Sequence, residues 1–183
     1  MTANPDSDNI LLVAKDPQTR EEEVLTSLRD QQVSQVISVA GGWTGGKIDD
    51  KNFWSGFSNM SASCLESALL AARVAVASKA SLLVLTGAAA ALSPQPDMLS
   101  YGLTKNAVHY LVRSLKDSVH TVAVLPSVLD TESNRKWMTG SRDHWTPLDF
   151  VSNLLLQWTR EPPESGSLIQ LKTKEGVTQL VTN

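Results

Sequence analysis

Short apolar runs that alternate with helix-like segments constrain the fold of this chain more than any other feature. The runs are short and continuous, which is typical of strands that are buried on both faces of a parallel sheet. They lie at residues 10–14, 35–40, 81–86, 120–125 and 168–173, and the turn at 174–176 leads to a sixth candidate at 177–181. This alternation predicts an open α/β sheet.

Segments with apolar residues at helical spacing separate these strands. They cover residues 20–30, 49–63, 65–76, 101–115 and 145–158. The last segment opens with Thr146 and Pro147, which suit an N-cap and a first helical turn. Residues 127–138 lack such spacing and are predicted to form a loop. Because we find no internal repeat, we predict a single domain over residues 1–183.

The composition excludes several classes of function. A formal net charge of -3 gives no electrostatic footprint for nucleic acid. No run approaches the ~18 apolar residues of a membrane span, and the polar N-terminus is unlike a signal peptide, so we expect a cytoplasmic protein. The single cysteine, Cys64, falls in a helical segment and is interpreted as a packing residue. The three histidines have no metal-ligand spacing, so we expect no metal site.

The pentapeptide YGLTK at residues 101–105 carries the strongest chemical signal. A spacing of four residues on a helix puts Tyr101 and Lys105 on one face, one turn apart. A neighbouring cation favours a phenolate, so the pair is predicted to form a proton donor tuned toward neutral pH. A chain with two tyrosines has such a pair by chance about one time in ten. The predicted strands on either side of the motif favour the chemical interpretation.

A glycine-rich segment, GGWTGG at residues 41–46, follows the predicted strand 35–40. Glycines at the carboxyl end of a strand allow the backbone to approach a ligand closely. On the glycines alone, a flexible surface loop is an equally good interpretation.

Taken together, these motifs resemble the short-chain dehydrogenase/reductase family, and within it the branch that reduces dihydropteridines. The resemblance extends over nearly all of the chain from about residue 10. The segments that carry it lie at residues 39–46 (VAGGWTGG), 86–92 (TGAAAAL), 101–111 (YGLTKNAVHYL), 123–136 (AVLPSVLDTESNRK), 145–150 (WTPLDF) and 165–176 (SGSLIQLKTKEG).

The resemblance implies a Rossmann-like, doubly wound, mostly parallel sheet with NADH or NADPH as cofactor. Tyr101 would donate the proton, while Lys105 would lower its pKa and bind the nicotinamide ribose. The resemblance also implies that the backbone of Ala40, Gly41 and Gly42 lines the cofactor. The nicotinamide carboxamide would be held by Pro126, Ser127, Val128 and Thr131.

The resemblance also implies that two further residues, Trp43 and Ala88, lie at the substrate site. Trp43 would lie at the mouth of the site, where a flat pterin ring can stack on it; the alternative is a packed anchor of its loop. Ala88 stands thirteen residues before the tyrosine, where the wider family places a serine that hydrogen-bonds the reacting oxygen. Loss of that hydroxyl disfavours a carbonyl reductase and suits a quinonoid dihydropterin, which is already electrophilic.

A second departure concerns the cofactor phosphates. The sequence contains neither G-x-x-x-G-x-G nor G-x-G-x-x-G, the turns that hold the pyrophosphate at a helix N-terminus. We therefore expect the first βαβ unit of the fold to be lacking.

The expected function is hydride transfer from NAD(P)H to quinonoid dihydropteridine, such as dihydrobiopterin, which regenerates the tetrahydro form in a homodimer. The alternative is an inactive shortened form that pairs with a full-length subunit.

Overall fold

The computed structural model describes residues 15–183, and the strand predicted at 10–14 lies outside them. Its sheet has the order β1-β2-β3-β4-β5, formed by Gln35–Ser38, Leu82–Thr86, Thr121–Pro126, Leu168–Lys174 and Val177–Thr182. The first four strands are parallel, and β5 runs antiparallel to β4. The turn that reverses the chain contains Glu175 and Gly176 at φ 50° and 75°. The mostly parallel α/β sheet confirms the predicted fold class.

Helices cover both faces of this sheet, as the doubly wound prediction requires. They are α1 (Pro17–Ser27), α2 (Phe53–Met60), α3 (Ser67–Ala77), α4 (Leu99–Leu115), α5 (Glu132–Trp137) and α6 (Leu148–Trp158). Leu83 and Leu85 of β2 pack with α3 and α4, whereas Leu82 and Val84 pack with α6. Strands covered on both sides bury every side chain, which explains the continuous apolar runs in the sequence.

The segment from α2 to α3 is one continuous helix, Phe53–Ala77, where the sequence predicted two. A π-helical stretch, Ser61–Glu66, joins its halves. By length and composition this helix could cross a membrane, although the sequence analysis found no such stretch. Its alanines Ala68, Ala72 and Ala75 are buried in the core beside the sheet.

Two predictions of local structure after β3 are wrong. The expected loop at 127–138 contains α5, whose N-cap is Thr131: its hydroxyl accepts a hydrogen bond from Asn134 N at 3.1 Å. Helix α6 begins at Leu148, and Thr146 does not cap it. The Thr146 hydroxyl is buried and lies 2.8 Å from that of Thr173, because a tertiary hydrogen bond replaces the local one.

Candidate active site

The carboxyl ends of β1, β2 and β3 form one edge of the sheet, because these strands are parallel. Residues 40–43 follow β1, residues 87–88 follow β2, and residues 126–131 extend from the end of β3. The Thr86 hydroxyl donates a hydrogen bond to Ser38 O at 2.8 Å and ties the first two strand ends together. In open α/β sheets this edge is where ligands bind.

Lys105 reaches this edge from α4. Its side chain is buried, with 3% exposure, and its ammonium donates a hydrogen bond to Thr86 O at 2.7 Å. A Cβ on Gly41 would lie 3.4 Å from Lys105 Nζ, so the glycine loop after β1 packs directly against the ammonium. Tyr101 lies one helical turn earlier, and its ring centroid is 6.0 Å from Nζ. The structure therefore brings Tyr101, Lys105 and Gly41 together.

The predicted tuning of Tyr101 toward neutral pH is wrong for this structure. Burial, followed by the nearby Cys64 thiol, raises the pKa of Tyr101 to about 12. Burial lowers the pKa of Lys105. The Lys105 ammonium is hydrogen-bonded to the Thr86 carbonyl, and the desolvation of the phenol dominates the pKa shift of Tyr101.

The other residues singled out by the resemblance line the same edge. Ala40, Gly41 and Gly42 are exposed. Ser127 donates a hydrogen bond to Leu171 O at 3.3 Å, and Val128 O accepts one from Thr146 N at 2.8 Å. Pro126 ends β3, and Thr131 caps α5.

Trp43 is 67% exposed, so most of its indole surface is open to solvent. Its indole is in contact range of Gly45: a Cβ there would lie 3.4 Å from the tip of the ring. Ala88 is buried and presents no hydroxyl to the site.

Cys64 is buried, with 2% exposure, as predicted for a packing residue. The sequence did not reveal that it packs beside the candidate pair, with its sulfur 3.6 Å from Gly42 O. The π-helical stretch carries it there, and local spacing contains no signal for that contact.

His109 is a second residue at this edge that the sequence analysis missed. Its Nε2 accepts a hydrogen bond from Ala88 N at 3.2 Å. Burial lowers the pKa of His109 to about 4, and the charges of Arg113 and Lys105 contribute further. Residues 101, 105 and 109 are spaced four apart and share one helix face, and this spacing could have placed His109 at the same edge.

Gly87 fits tightly under the His109 ring, which leads to a first prediction. A Cβ at this position would lie 2.5 Å from His109 Nε2 and 3.0 Å from Leu125 Cδ1. We expect Gly87→Ala to lower the free energy of unfolding by about 1–3 kcal/mol through overpacking. Urea unfolding measures this loss.

Gly102→Ala is the matched control, because nothing lies within 4 Å of a Cβ on Gly102. Truncating the ring in the double variant Gly87→Ala/His109→Ala should make the effects of the two changes non-additive. If the losses of unfolding free energy from the two single changes were additive, the His109 ring would not be the source of the overpacking in Gly87→Ala.

Among residues 15–183, no group of three or more His, Cys, Asp or Glu side chains comes together at a spacing suited to a metal ion.

Comparisons with known proteins decide the family. No family model matches the chain. It is, however, 31% identical over 190 residues to dihydropteridine reductase from Dictyostelium discoideum, an alignment that covers 96% of this chain and 82% of that protein. The chain belongs to the dihydropteridine reductase family.

Solved structures agree with this membership at the level of the fold. A short-chain dehydrogenase/reductase from Serratia marcescens superposes with a TM-score of 0.75 at 15% identity, covering 92% of this chain and 76% of that chain. ElxO, solved with NADP bound, gives 0.72 at 18% identity, covering 87% and 74%. The dihydropteridine reductase family member described here thus has the short-chain dehydrogenase/reductase fold that its motifs predicted.

Proposed function

We propose that the protein is an NAD(P)H-dependent oxidoreductase that reduces quinonoid dihydropteridines to the tetrahydro form. The observation that carries this proposal is the cluster of Tyr101, Lys105 and Gly41 at the carboxyl edge of the parallel strands. Membership of the dihydropteridine reductase family supports the substrate class. Dihydrobiopterin is the proposed substrate within that class.

The residues around Lys105 fit the nicotinamide end of such a cofactor. An ammonium has three donors, and in the described part of the chain Lys105 uses one of them, for Thr86 O. A ribose hydroxyl can accept another. Gly41 lacks the Cβ that would occupy the space beside Nζ. We assign the carboxamide to the segment after β3, where Pro126, Ser127, Val128 and Thr131 lie. When bound, the cofactor supplies the hydride.

Tyr101 holds the proton for the substrate. With a pKa raised to about 12, its phenol is protonated at neutral pH and can donate to a ring nitrogen. The Lys105 ammonium stabilises the negative charge that develops on the phenol oxygen as the proton leaves. Ala88 supplies no second hydroxyl, so a ketone would be poorly polarised here. The exposed Trp43 indole offers a face on which a pterin ring can stack.

Calorimetric titration with NADH and NADPH tests the cofactor assignment, and the consumption of NADH with quinonoid 6,7-dimethyldihydropterin tests the reaction. We expect micromolar binding and substrate-dependent oxidation of NADH. A folded protein that binds neither nucleotide would overturn the enzymatic proposal and favour the inactive dimer partner.

We also propose that the protein forms a homodimer through α3 and α4. These helices lie on the same face of the sheet and expose large apolar side chains seven residues apart. The exposed pairs are Leu69 and Val76 on α3, and Leu103 and Tyr110 on α4. Apolar surface of this kind marks interaction sites, and a two-fold contact would cover both pairs at once.

Val76→Glu tests the dimer. A two-fold contact would bury one new carboxylate from each subunit in apolar surroundings, and burying an unpaired charge is costly. We therefore expect the dimer to dissociate to monomers, as measured by analytical ultracentrifugation. Gln32→Glu adds the same charge at an exposed position outside these helices and should leave the dimer intact. A wild-type protein that sediments as a monomer would contradict the proposal.

A further inference from the structure

His109 is a buried, titratable residue at the edge of the candidate site, and the proposed reaction gives it no role. The residue is 4% exposed, and its Nε2 accepts the Ala88 N–H at 3.2 Å. Nε2 accepts only when the ring is neutral and carries its proton on Nδ1. Burial, and after it the charges of Arg113 and Lys105, lower the pKa of His109 to about 4. The ring is therefore a neutral acceptor at neutral pH.

The segment that His109 contacts has no polar side chain of its own. Gly87 and Ala88 follow β2, so helix α4 can bind them only through their backbone groups. Gly87 N donates to Val124 O at 2.9 Å and continues the hydrogen-bond ladder between β2 and β3. Ala88 N is the next donor along the chain, and His109 accepts from it. The imidazole thus satisfies the first backbone N–H beyond the sheet.

Lys105 binds the same strand end from one helical turn earlier on α4. Its ammonium donates to Thr86 O at 2.7 Å. Residues four apart lie on one face of a helix, so Lys105 and His109 contact the strand end side by side. The helix donates to Thr86 and accepts from Ala88, two residues further on. The position of the Thr86 carbonyl, which directs the ammonium, therefore depends on how the segment at 86–88 is held.

Close packing couples the His109 ring to this segment. A Cβ on Gly87 would lie 2.5 Å from Nε2, so the ring and the Gly87 backbone are already in contact. Asn106 Nδ2 donates to Ala91 O at 3.0 Å and holds the far side of the turn that follows. Loss of the His109 acceptor would therefore release only the near side of the turn, next to the strand end.

We propose that His109 is a positioning residue for the Lys105 ammonium. By accepting the Ala88 N–H it fixes the segment at 86–88, and the Thr86 carbonyl then holds the ammonium beside Gly41. The effect of this positioning on catalysis rests on the proposed function. In that reaction the oriented ammonium stabilises the charge that develops on the phenol oxygen.

His109→Leu tests the proposal by removing the acceptor while retaining a side chain that favours a helix. One unpaired N–H costs less than the stability of a typical domain, so the variant should fold. We expect kcat for NADH oxidation with quinonoid dihydropterin to fall roughly 10- to 100-fold, because small displacements of catalytic groups are costly. His109→Gln retains an acceptor and should restore most of this loss. Val112→Ala, a buried change on the same helix, is the matched control: it lowers stability and should leave kcat unchanged.

A double-mutant cycle separates positioning from general destabilisation. If His109 acts through the ammonium, His109→Leu should cause no further loss of kcat in a Lys105→Met background. Single-turnover rates at high protein concentration measure the residual activity. Equal fold-losses in both backgrounds would overturn the proposal, while wild-type turnover would still uphold the reductase.

NMR of protein isotopically labelled at the lysine Cε tests the positioning without any turnover. The Lys105 signal is identified by its loss in Lys105→Met. We expect its chemical shift to change in His109→Leu, to return toward the wild-type value in His109→Gln, and to stay constant in Val112→Ala. An unchanged Lys105 signal in His109→Leu would overturn the proposal whether or not the protein is a reductase. A changed signal in a protein whose wild type oxidises no NADH would uphold the positioning and reject the proposed function.

Discussion

Replacing Tyr101 by phenylalanine should abolish most of the pterin reduction while the protein remains folded and binds nucleotide. The phenol is the proton donor in the proposed reaction, and loss of a positioned general acid lowers kcat roughly 10²- to 10⁴-fold. The hydroxyl forms no hydrogen bond in the part of the chain that the structure describes, so its removal has little structural cost. Initial rates of NADH oxidation with quinonoid dihydropterin measure the effect.

Tyr110→Phe is the matched control for this experiment. Tyr110 lies on the same helix but on the proposed dimer face, and phenylalanine keeps its apolar ring, so removing its hydroxyl should leave both the dimer and kcat unchanged. Calorimetry with NADH should give the same affinity for wild type and Tyr101→Phe. A Tyr101→Phe protein that retains wild-type kcat would show that the proton comes from another donor.

His109 should make the protein lose stability on mild acidification, well before the carboxylates titrate. The folded pKa of His109 is about 4, whereas an unfolded histidine has a pKa near ~6.5. The unfolded state therefore binds the proton more readily, and stability falls as the pH drops from about 6.5 toward 4. Linkage gives a loss of about 2 kcal/mol at pH 5 and about 3 kcal/mol in full. Urea unfolding at pH 7.5 and pH 5 measures this difference.

A His109→Gln variant should flatten this pH dependence, because glutamine accepts the Ala88 N–H without binding a proton. The matched control is His144→Gln, whose side chain is exposed and which should retain the wild-type dependence. An unchanged slope in His109→Gln would contradict the assignment of the acid sensitivity to the buried imidazole.

The structure confirms the predictions from the sequence wherever the residue pattern of a segment by itself determines how that segment is buried. The strands at β2 and β3 were predicted because continuous apolar runs require cover on both faces, and the structure provides that cover. Tyr101 and Lys105 were predicted to share a helix face, which α4 confirms. The errors arose where a distant partner intervened. Thr146 bonds Thr173 and leaves the helix uncapped, and the Phe53–Ala77 helix continues through a π-helical stretch that no local pattern marks.

The sequence by itself determined the alternation of the strands β1 to β5 with helical segments, except for α5, together with the family resemblance and the pairing of a phenol with an ammonium one turn away. These follow from periodicity and from residue types at fixed spacing, which are local properties. Only the tertiary structure decided the sign of the Tyr101 pKa shift and the close packing of Gly87 against the His109 ring. Desolvation and steric contact depend on groups brought together from distant segments, so packing alone sets them.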